Sequence, residues 1–297
     1  MTMLKQLPIG ARVREMQSGT IFLVADHGHT GWLGTTLVAD RAAALACLDA
    51  AEPENPDAEV RENGCNRYSL SNIHQWLNSD QADWFTPAHA FDAPPTEEGQ
   101  YPGRLDAYAS PLYHDSARFT GPFAYDRKPG YLARFSEAFR AAIQPVRIPC
   151  CIPPDPDIVH FGPPLPEYLE CRVFLLSAAE IGLETDVRNE GSRLRLFLDA
   201  RMRMCAPENA AIGRGADFVY KQSALTWWLR SPMADTGSMG KIFNAEHKFG
   251  DVAPIAMTIA PVCTVAGIRP ALNLRSDTAI GPRDDTGVYA LEFGGKQ

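Results

Sequence analysis

Two adjacent tryptophans constrain the fold of this chain more than any other sequence feature. They lie in SALTWWLRSPMADTG, residues 223–237, and the chain has only five tryptophans. Successive side chains of a strand point to opposite faces, so in a strand Trp228 would share a face with Arg230 and Trp227 would lie on the other face. One tryptophan must then be buried. The other lies beside an arginine and belongs either to the core or to an exposed binding surface.

Composition and charge limit the classes of partner. The 297 residues are 45% hydrophobic and 22% charged, which is ordinary for a globular protein and allows a sizeable core. The net charge of -8 argues against a nucleic-acid partner, because phosphate binding needs a basic surface. No window approaches the ~18 apolar residues of a membrane-spanning helix, and residues 1–13 lack the apolar run of a signal peptide. We therefore expect neither membrane insertion nor export by the usual route.

Cysteines, histidines and motifs favour a protein without a metal site or a catalytic centre. The chain has seven cysteines, Cys150 and Cys151 are adjacent, and there is no CxxC pair, so we expect reduced, mostly buried thiols. His27 and His29 lie beside Asp26, but a metal would need a further ligand from elsewhere. The sequence contains no G-x-S-x-G, no H-E-x-x-H and no phosphate-binding loop. We predict a non-catalytic protein with no cofactor and no metal.

Helical spacing of apolar residues predicts two helices, near 70–78 and 131–143. In the first, Ser69 or Ser71 can cap the N-terminus, and Trp76 falls on the apolar stripe, which places it in the core. The second ends before a proline. Its apolar stripe comprises Leu132, Phe135, Phe139 and Ile143.

Strands are predicted toward both ends of the chain. ARVREMQSGTIFLVADHGH alternates apolar and polar residues around a Ser-Gly turn, which indicates a hairpin, and GIRPALNLRS and GVYALEFGG are also strand-like. CRVFLLSAAEIG reads as a buried strand leading into a helix, since Ser177 and Glu180 have the spacing of a capping box. The alanine-rich ADRAAALACLDAAEP has a helical composition.

Two segments depart from regular structure. Residues 92–130 are rich in proline, glycine, tyrosine and aspartate without sustained periodicity, and such a long loop is uncommon inside a compact domain. Residues 149–166 contain seven prolines, which favour an extended backbone over a helix or a central strand. We interpret both excursions as arms that dock onto a neighbouring protein.

Four segments, in this order, resemble a known family. NRYSLSNIHQWLNSD, VFLLSAAEIG, WWLRSP and GIRPALNL, across residues 66–274, are similar to a widespread domain of unknown function from gut-bacterial and prophage proteins. The N-terminal LPIGARVREMQSGTIFLVADHGH also resembles the start of its phage members. The resemblance implies one domain over residues 1–297 with an α+β fold related to the C-type lectin and formylglycine-generating-enzyme group. Such a fold has a small twisted antiparallel sheet, two main helices and long irregular loops.

The resemblance also implies a buried framework. WLRSP and GIRPAL look like framework strands, so Trp227 and Leu229 are expected in the core. We expect Arg230 to pair with a buried carboxylate, and we choose Glu180, because a guanidinium fork fits a carboxylate in a bidentate contact. Arg269 is expected to have a structural role of the same kind.

The function implied is that of a non-catalytic structural protein of a phage virion, assembled in the host cytoplasm. It would decorate the capsid or form part of a tail that recognises the host. Its partners would be other virion proteins, copies of itself and a host-surface glycan. The candidate ligand surface comprises Trp228, Asp235, Lys241, Asn244 and His247.

Two alternatives remain open at this point. The first is a stand-alone intracellular sugar-binding module. The second is an oxidase resembling the formylglycine-generating enzymes, whose copper(I) needs two close thiolates. Cys205 and Cys263 are far apart in sequence, and no further cysteine follows Cys263, so the sequence disfavours this second alternative.

Overall fold

The computed structural model describes residues 2–100, 124–152, 165–184, 187, 189–208, 226–233, 236–243 and 257–293. Over these residues the chain is a mixed α and β protein built mostly from strands. The α-helices are α1 (Ala58–Asn63), α2 (Asn72–Asn78) and α3 (Glu137–Ala142). Short 3-10 helices span Leu4–Gln6, His29–Gly31, Tyr68–Leu70, Tyr131–Arg134, Arg195–Leu198 and Ala200–Arg203. None of the described helices has the length and apolar character needed to cross a bilayer.

The strands are, in chain order, β1 (Thr2–Met3), β2 (Arg12–Arg14), β3 (Ile21–His27), β4 (Thr35–Ala39), β5 (Arg41–Ala42), β6 (Ala44–Ala46), β7 (Val146–Ile152), β8 (Leu165–Cys171), β9 (Val173–Leu175), β10 (Ala206–Pro207), β11 (Trp227–Pro232), β12 (Met239–Phe243), β13 (Met257–Pro261), β14 (Ala266–Ile268), β15 (Pro270–Leu274), β16 (Ala279–Arg283) and β17 (Val288–Glu292).

Two open sheets contain most of these strands. The larger has eight strands in the order β1-β16-β17-β2-β3-β4-β15-β9, and the smaller has five in the order β13-β12-β11-β14-β6. Most neighbours are antiparallel, but β17 runs parallel to β2 and β11 runs parallel to β14. The expectation of a small antiparallel sheet is therefore wrong in size and partly wrong in direction. The reason is that strands from both ends of the described chain join the same large sheet.

The two ends of the described chain meet beside β2. Thr2 in β1 pairs with Ile280 in β16, and Val13 in β2 pairs with Tyr289 in β17. An ion pair of 2.8 Å joins Arg14 of β2 to Asp284, the residue after β16. Contacts between residues so far apart in sequence join the two ends of the described chain within one sheet.

The predicted hairpin is confirmed, and so are the strands around WWLRSP, GIRPALNL and GVYALEFGG. In the hairpin β2 pairs with β3 through Val13 and Phe22. The alanine-rich segment, by contrast, is extended and not helical. It forms β5 and β6, which pair with β10 and β14, so tertiary strand pairing overrides the helical preference of alanine.

The first predicted helix is confirmed as α2. It begins after Ser71, whose hydroxyl oxygen accepts a hydrogen bond from the main-chain N–H of His74 at 3.4 Å. Trp76 is buried, as predicted. Its indole Nε1 donates to the main-chain oxygen of Pro129 at 3.0 Å, which ties α2 to the segment before the next helix.

The second predicted helix is divided in two. A 3-10 helix spans Tyr131–Arg134, and α3 spans Glu137–Ala142. Between them Phe135 has an extended backbone, and Ser136 starts α3 by accepting from the N–H of Phe139 at 3.2 Å. All four residues of the predicted apolar stripe are nevertheless buried, because the break keeps them on one side. The rings of Phe135 and Phe139 pack against Phe22 of β3.

Candidate functional site

Arg230 lies at the centre of a buried network. Its side chain, on β11, is fully buried. Nη1 donates to Glu180 Oε2 at 2.6 Å and Nη2 donates to Glu180 Oε1 at 2.7 Å. Burial by itself would lower the pKa of Arg230, but the charge and hydrogen bonds of Glu180 outweigh burial and raise it. The bidentate pair predicted from the sequence is therefore confirmed.

The other N–H groups of Arg230 bind main-chain oxygens. Nε donates to Pro149 at 3.1 Å, Nη1 to Leu175 at 2.7 Å and Nη2 to Glu190 at 3.0 Å. Each of the five guanidinium N–H groups thus has an acceptor. Because these acceptors belong to β7, to β9 and to the loop at Glu190, Arg230 holds three separate parts of the chain around β11.

Glu180 is positioned by a capping box that has no α-helix after it. Ser177 Oγ accepts from the N–H of Glu180 at 3.1 Å, and Glu180 Oε2 accepts from the N–H of Ser177 at 3.1 Å. The residues that follow form a turn. The sequence pattern predicted the local hydrogen bonds correctly, but the carboxylate of Glu180 turns toward Arg230 and the chain does not continue as a helix.

Arg269, between β14 and β15, is buried without a carboxylate partner among the described residues. Its Nε donates to Ala39 O at 2.9 Å and its Nη1 to Met202 O at 2.9 Å. The guanidinium also lies 5.3 Å from the ring centroid of Trp227. Burial lowers the pKa of Arg269. Its contacts to main-chain oxygens and to a core ring fit the structural role expected from the sequence.

Trp228 belongs to the core, so its place on the candidate ligand surface is wrong. Both adjacent tryptophans are completely buried, and Trp228 Nε1 donates to Thr264 O at 3.2 Å. A Cβ atom on Gly240 of β12 would lie only 2.9 Å from the Trp228 ring, which shows how closely the ring is packed. The two tryptophans do point to opposite faces, but β11 is a central strand and both of its faces are covered.

The other members of the candidate ligand surface fall into two groups. Lys241, on β12, is buried with 3% of its surface exposed, so it too is wrongly placed on a surface. Asp235, Asn244 and His247 lie outside the described residues. The structure therefore gathers none of the five into an exposed group within its described part.

Glu190 is a buried acid that sequence reasoning missed. Ser231 Oγ donates to its Oε2, while Oε1 has no hydrogen-bond partner among the described residues. Burial raises its pKa to about 7, even though Arg230, Ser231 and Lys241 act in the opposite direction. No local sequence pattern marks Glu190, because Arg230 and Ser231 of β11 are 40 and 41 residues away from it.

A β-ribbon with one largely exposed strand, β8, lies next to the Arg230 network. It consists of β7 and β8, which pair antiparallel from Val146 with Cys171 to Ile152 with Leu165. Tyr168 is 55% exposed and Leu165 is 60% exposed. This is the described part of the proline-rich excursion, and its backbone is extended as predicted. Its strands form a separate two-stranded pair, where proline is tolerated.

The ribbon is fixed to the body of the molecule at several points. Arg67 binds both carboxylate oxygens of Glu167, at 3.3 and 2.7 Å, and Ser69 Oγ donates to Glu167 at 2.8 Å. Burial would raise the pKa of Glu167, but these hydrogen bonds outweigh burial and lower it. Together with the bond from Arg230 to Pro149, they hold the ribbon as a rigid surface.

The outward face of the ribbon is balanced in charge. Arg147 and Glu170 are directly opposite each other in the register, and both are exposed. Arg147 also lies over the Tyr168 ring, 4.6 Å from its centroid. Pro166 follows on the same face, since side chains two residues apart in a strand share a side. The face thus presents a tyrosine and a proline flanked by one charge of each sign.

The cysteines are free thiols, and six of the seven are buried. Cys263 lies near Cys47, and the sequence did not indicate that these two thiols would be close. Burial raises the pKa of Cys47 well above its usual range, and the charges of Asp49 and Cys263 raise it further.

Asp26, His27 and His29 do not converge on one centre. Asp26 accepts from Arg195 Nε at 2.5 Å and lies 3.2 Å from His29 Nδ1, whereas the ring of His27 contacts Thr35 and Leu7. Burial would raise the pKa of Asp26, but its hydrogen bonds with Arg195 lower it. In the described part of the chain, no three histidine, cysteine or carboxylate side chains are placed to hold a metal ion together.

Comparison with known proteins yields one match. The family model described as a domain of unknown function (DUF6273) matches residues 34–276, which is most of the chain. No curated protein matches the chain, and no solved structure does. The matched region contains the Arg230 network, the ribbon and β11, but it begins after β3 and ends before β16.

Proposed function

The chain belongs to the DUF6273 family of domains of unknown function, and we propose that it is a non-catalytic structural protein of a bacteriophage particle. In this role it is present in many copies, and it decorates the capsid or forms part of a tail that contacts the host. The ribbon of β7 and β8 carries the proposal, because it is an exposed apolar and aromatic surface on a rigid base.

The size of the ribbon favours a particle over a free dimer. Each strand has seven residues, so at a rise of about 3.3 Å per residue the described ribbon is about 23 Å long and roughly 10 Å wide. Its face then covers about 230 Å², well below the ~800 Å² per partner of a stable interface. A contact this small becomes effective when a scaffold presents many copies at once.

The neighbour that the ribbon fits best is another copy of this chain. A symmetric contact needs one surface that complements itself, so that each copy supplies both halves of every pair. Arg147 and Glu170 are on the same exposed face, and each can meet the opposite charge on a second copy. Tyr168 and Pro166 would pack between the two pairs. Aromatic residues are enriched in the cores of such interfaces.

We further propose that the fold is related to the C-type lectin and formylglycine-generating-enzyme group. The sequence resemblance of the four segments to that family is what supports this relation. The segments form α2, the strand and capping turn at β9, the central strand β11, and the strands β14 and β15. A host-surface glycan remains a proposed partner.

Mass spectrometry of particles purified from the source bacterium tests this function. We expect the chain among the particle proteins in many copies. A strain producing Tyr168→Ser with Pro166→Ser should incorporate the chain about tenfold less or worse, since every repeated contact is weakened. The matched control is Leu198→Ser with Met16→Ser, which changes side chains that are 65% and 62% exposed elsewhere.

Two results would contradict the proposal. If purified particles contain no copy of the chain, it is not a particle protein, and the stand-alone sugar-binding module becomes the better account. If the ribbon variant is incorporated as well as the control, the ribbon is not the contact surface. Equal melting temperatures of both variants in isolation confirm that neither effect comes from unfolding.

A further inference from the structure

A cleft of about 240 Å³ lies apart from the ribbon and the Arg230 network. Its walls come from the turn between β2 and β3, from the junction of β4 and β5, and from the residue after β10. This volume is slightly below the ~300 Å³ at which pockets for drug-sized ligands begin, so it holds one small molecule. The lining includes Ser18, Thr20, Ile21, Asp40, Arg41 and Glu208.

Two carboxylates of the lining have unused acceptor oxygens. Asp40 accepts from Arg12 through Oδ2 at 2.9 Å, and Glu208 accepts from Arg134 through Oε2 at 3.3 Å. The second oxygen of each, Asp40 Oδ1 and Glu208 Oε1, has no hydrogen-bond partner among the described residues. An ionised carboxylate accepts several hydrogen bonds, so each can take a further donor from a ligand.

A buried hydroxyl supplies a donor at the same place. Thr20 is 4% exposed, and its Oγ1 accepts from Ser18 Oγ at 3.0 Å. Ser18 Oγ in turn accepts from the main-chain N–H of Thr20 at 3.1 Å. Because Ser18 is the donor in the bond between the two hydroxyls, the hydroxyl proton of Thr20 is available to an acceptor in the cleft.

Charge in the lining disfavours a cation. Asp40 pairs with Arg12 and Glu208 pairs with Arg134, so these four side chains together carry no net charge, and Arg41 adds one positive charge to the lining. Burial raises the pKa of Glu208, while the charge and hydrogen bond of Arg134 act in the opposite direction. A ligand that donates uncharged O–H groups makes use of the free oxygens without needing a counter-ion.

We propose that this cleft binds a neutral, hydroxyl-rich molecule of the size of a single sugar unit. Two hydroxyl groups of the ligand donate to Asp40 Oδ1 and Glu208 Oε1, and a third oxygen accepts from Thr20. Ile21 provides the apolar contact for the carbon skeleton. This binding concerns a different surface from the ribbon, and it holds whether or not the chain is part of a particle.

Saturation-transfer NMR on the full chain tests the proposal. The probes are the methyl glycosides of glucose, galactose, mannose and N-acetylglucosamine, each measured alone, with n-butylamine as a cationic probe. We expect at least one glycoside to bind and its affinity to fall by about tenfold or more in Asp40→Asn with Glu208→Gln, because charge-assisted hydrogen bonds are lost. The control Asp277→Asn changes an exposed carboxylate outside the cleft and should leave binding unchanged.

Three outcomes would overturn the proposal. No glycoside binds; or a glycoside binds equally well to the cleft variant, which places the sugar elsewhere; or n-butylamine is the probe whose binding depends on the two carboxylates, which makes the cleft a cation site. If the double variant melts earlier than the wild type, Thr20→Val replaces it as the cleft variant, with the same expected loss of glycoside binding.

Discussion

The buried pair of Arg230 and Glu180 gives a prediction whose size follows from its geometry. Arg230→Ala removes a fully buried guanidinium that makes five hydrogen bonds. The Glu180 carboxylate is then left without a counter-charge, which costs about 3 to 5 kcal/mol. Three main-chain oxygens also lose their donors, at about 1 kcal/mol each. We expect the free energy of unfolding to fall by about 5 kcal/mol or more.

A double-mutant cycle separates the ion pair from the rest of the network. Glu180→Gln should cost about 3 kcal/mol by itself, because it leaves the Arg230 charge uncompensated. The two changes together should cost less than their sum by about 2 kcal/mol, because the second change removes a charge that the first has already left unpaired. Urea unfolding followed by tryptophan fluorescence measures this directly, since Trp227 and Trp228 are both buried beside the pair.

Arg12→Ala serves as the matched control. Arg12 also pairs with an aspartate, but its side chain is 38% exposed, so its loss should cost about 1 kcal/mol or less. If Arg230→Ala has the urea midpoint of the wild type and the same dependence of unfolding free energy on urea, the pair is not structural. Where Arg230→Ala does not fold, Arg230→Lys keeps the charge but loses the bidentate contact, and an unchanged midpoint in that variant contradicts the argument equally.

Further predictions concern pH, packing and metal. Glu190 in the folded chain keeps its proton up to about pH 7, whereas the unfolded acid loses it near 4.5, so wild-type stability should fall by up to about 3 kcal/mol between these values. Glu190→Gln should reduce that fall, and urea midpoints at pH 5 and pH 8 that shift as much as in the wild type would refute this. Gly130→Ala should lower the free energy of unfolding by about 1 to 3 kcal/mol, because the new Cβ overlaps the main-chain oxygen of Ser79. As a control, Gly237→Ala should leave the urea midpoint unchanged, because the nearest atom to its new Cβ, on Val60, is 3.7 Å away. A chelator should not change the melting temperature, and a fall of several degrees would indicate a structural ion.

Local patterns in the sequence predicted the features that depend on a few neighbouring residues. Alternation indicated the hairpin of β2 and β3, and apolar spacing indicated α2. The capping box at Ser177 and Glu180 correctly predicted two hydrogen bonds. The geometry of the Arg230 guanidinium predicted a buried carboxylate partner, and Glu180 is that partner.

Features that depend on distant strands could not be predicted in this way. Strand alternation does not say whether a strand is central, so it left the Trp228 side chain either in the core or at the surface. The alanine-rich segment became β5 and β6 because β10 and β14 pair with it. Glu190 meets Arg230 and Ser231, which are 40 and 41 residues away, and the cleft between Asp40 and Glu208 forms where segments more than 150 residues apart meet. No local pattern encodes such meetings.

The pairing of early and late strands in the large sheet has a consequence for biosynthesis. β2 and β3 are translated early, yet β17, which pairs with β2, follows more than 270 residues after it. At about 5 to 20 residues per second, the ribosome needs on the order of 15 to 60 s to bridge that distance. During this interval β2 has an unpaired edge, and β3 carries a nearly continuous run of buried side chains with part of its packing still missing. We therefore expect the nascent chain to be prone to aggregation until its last strands emerge.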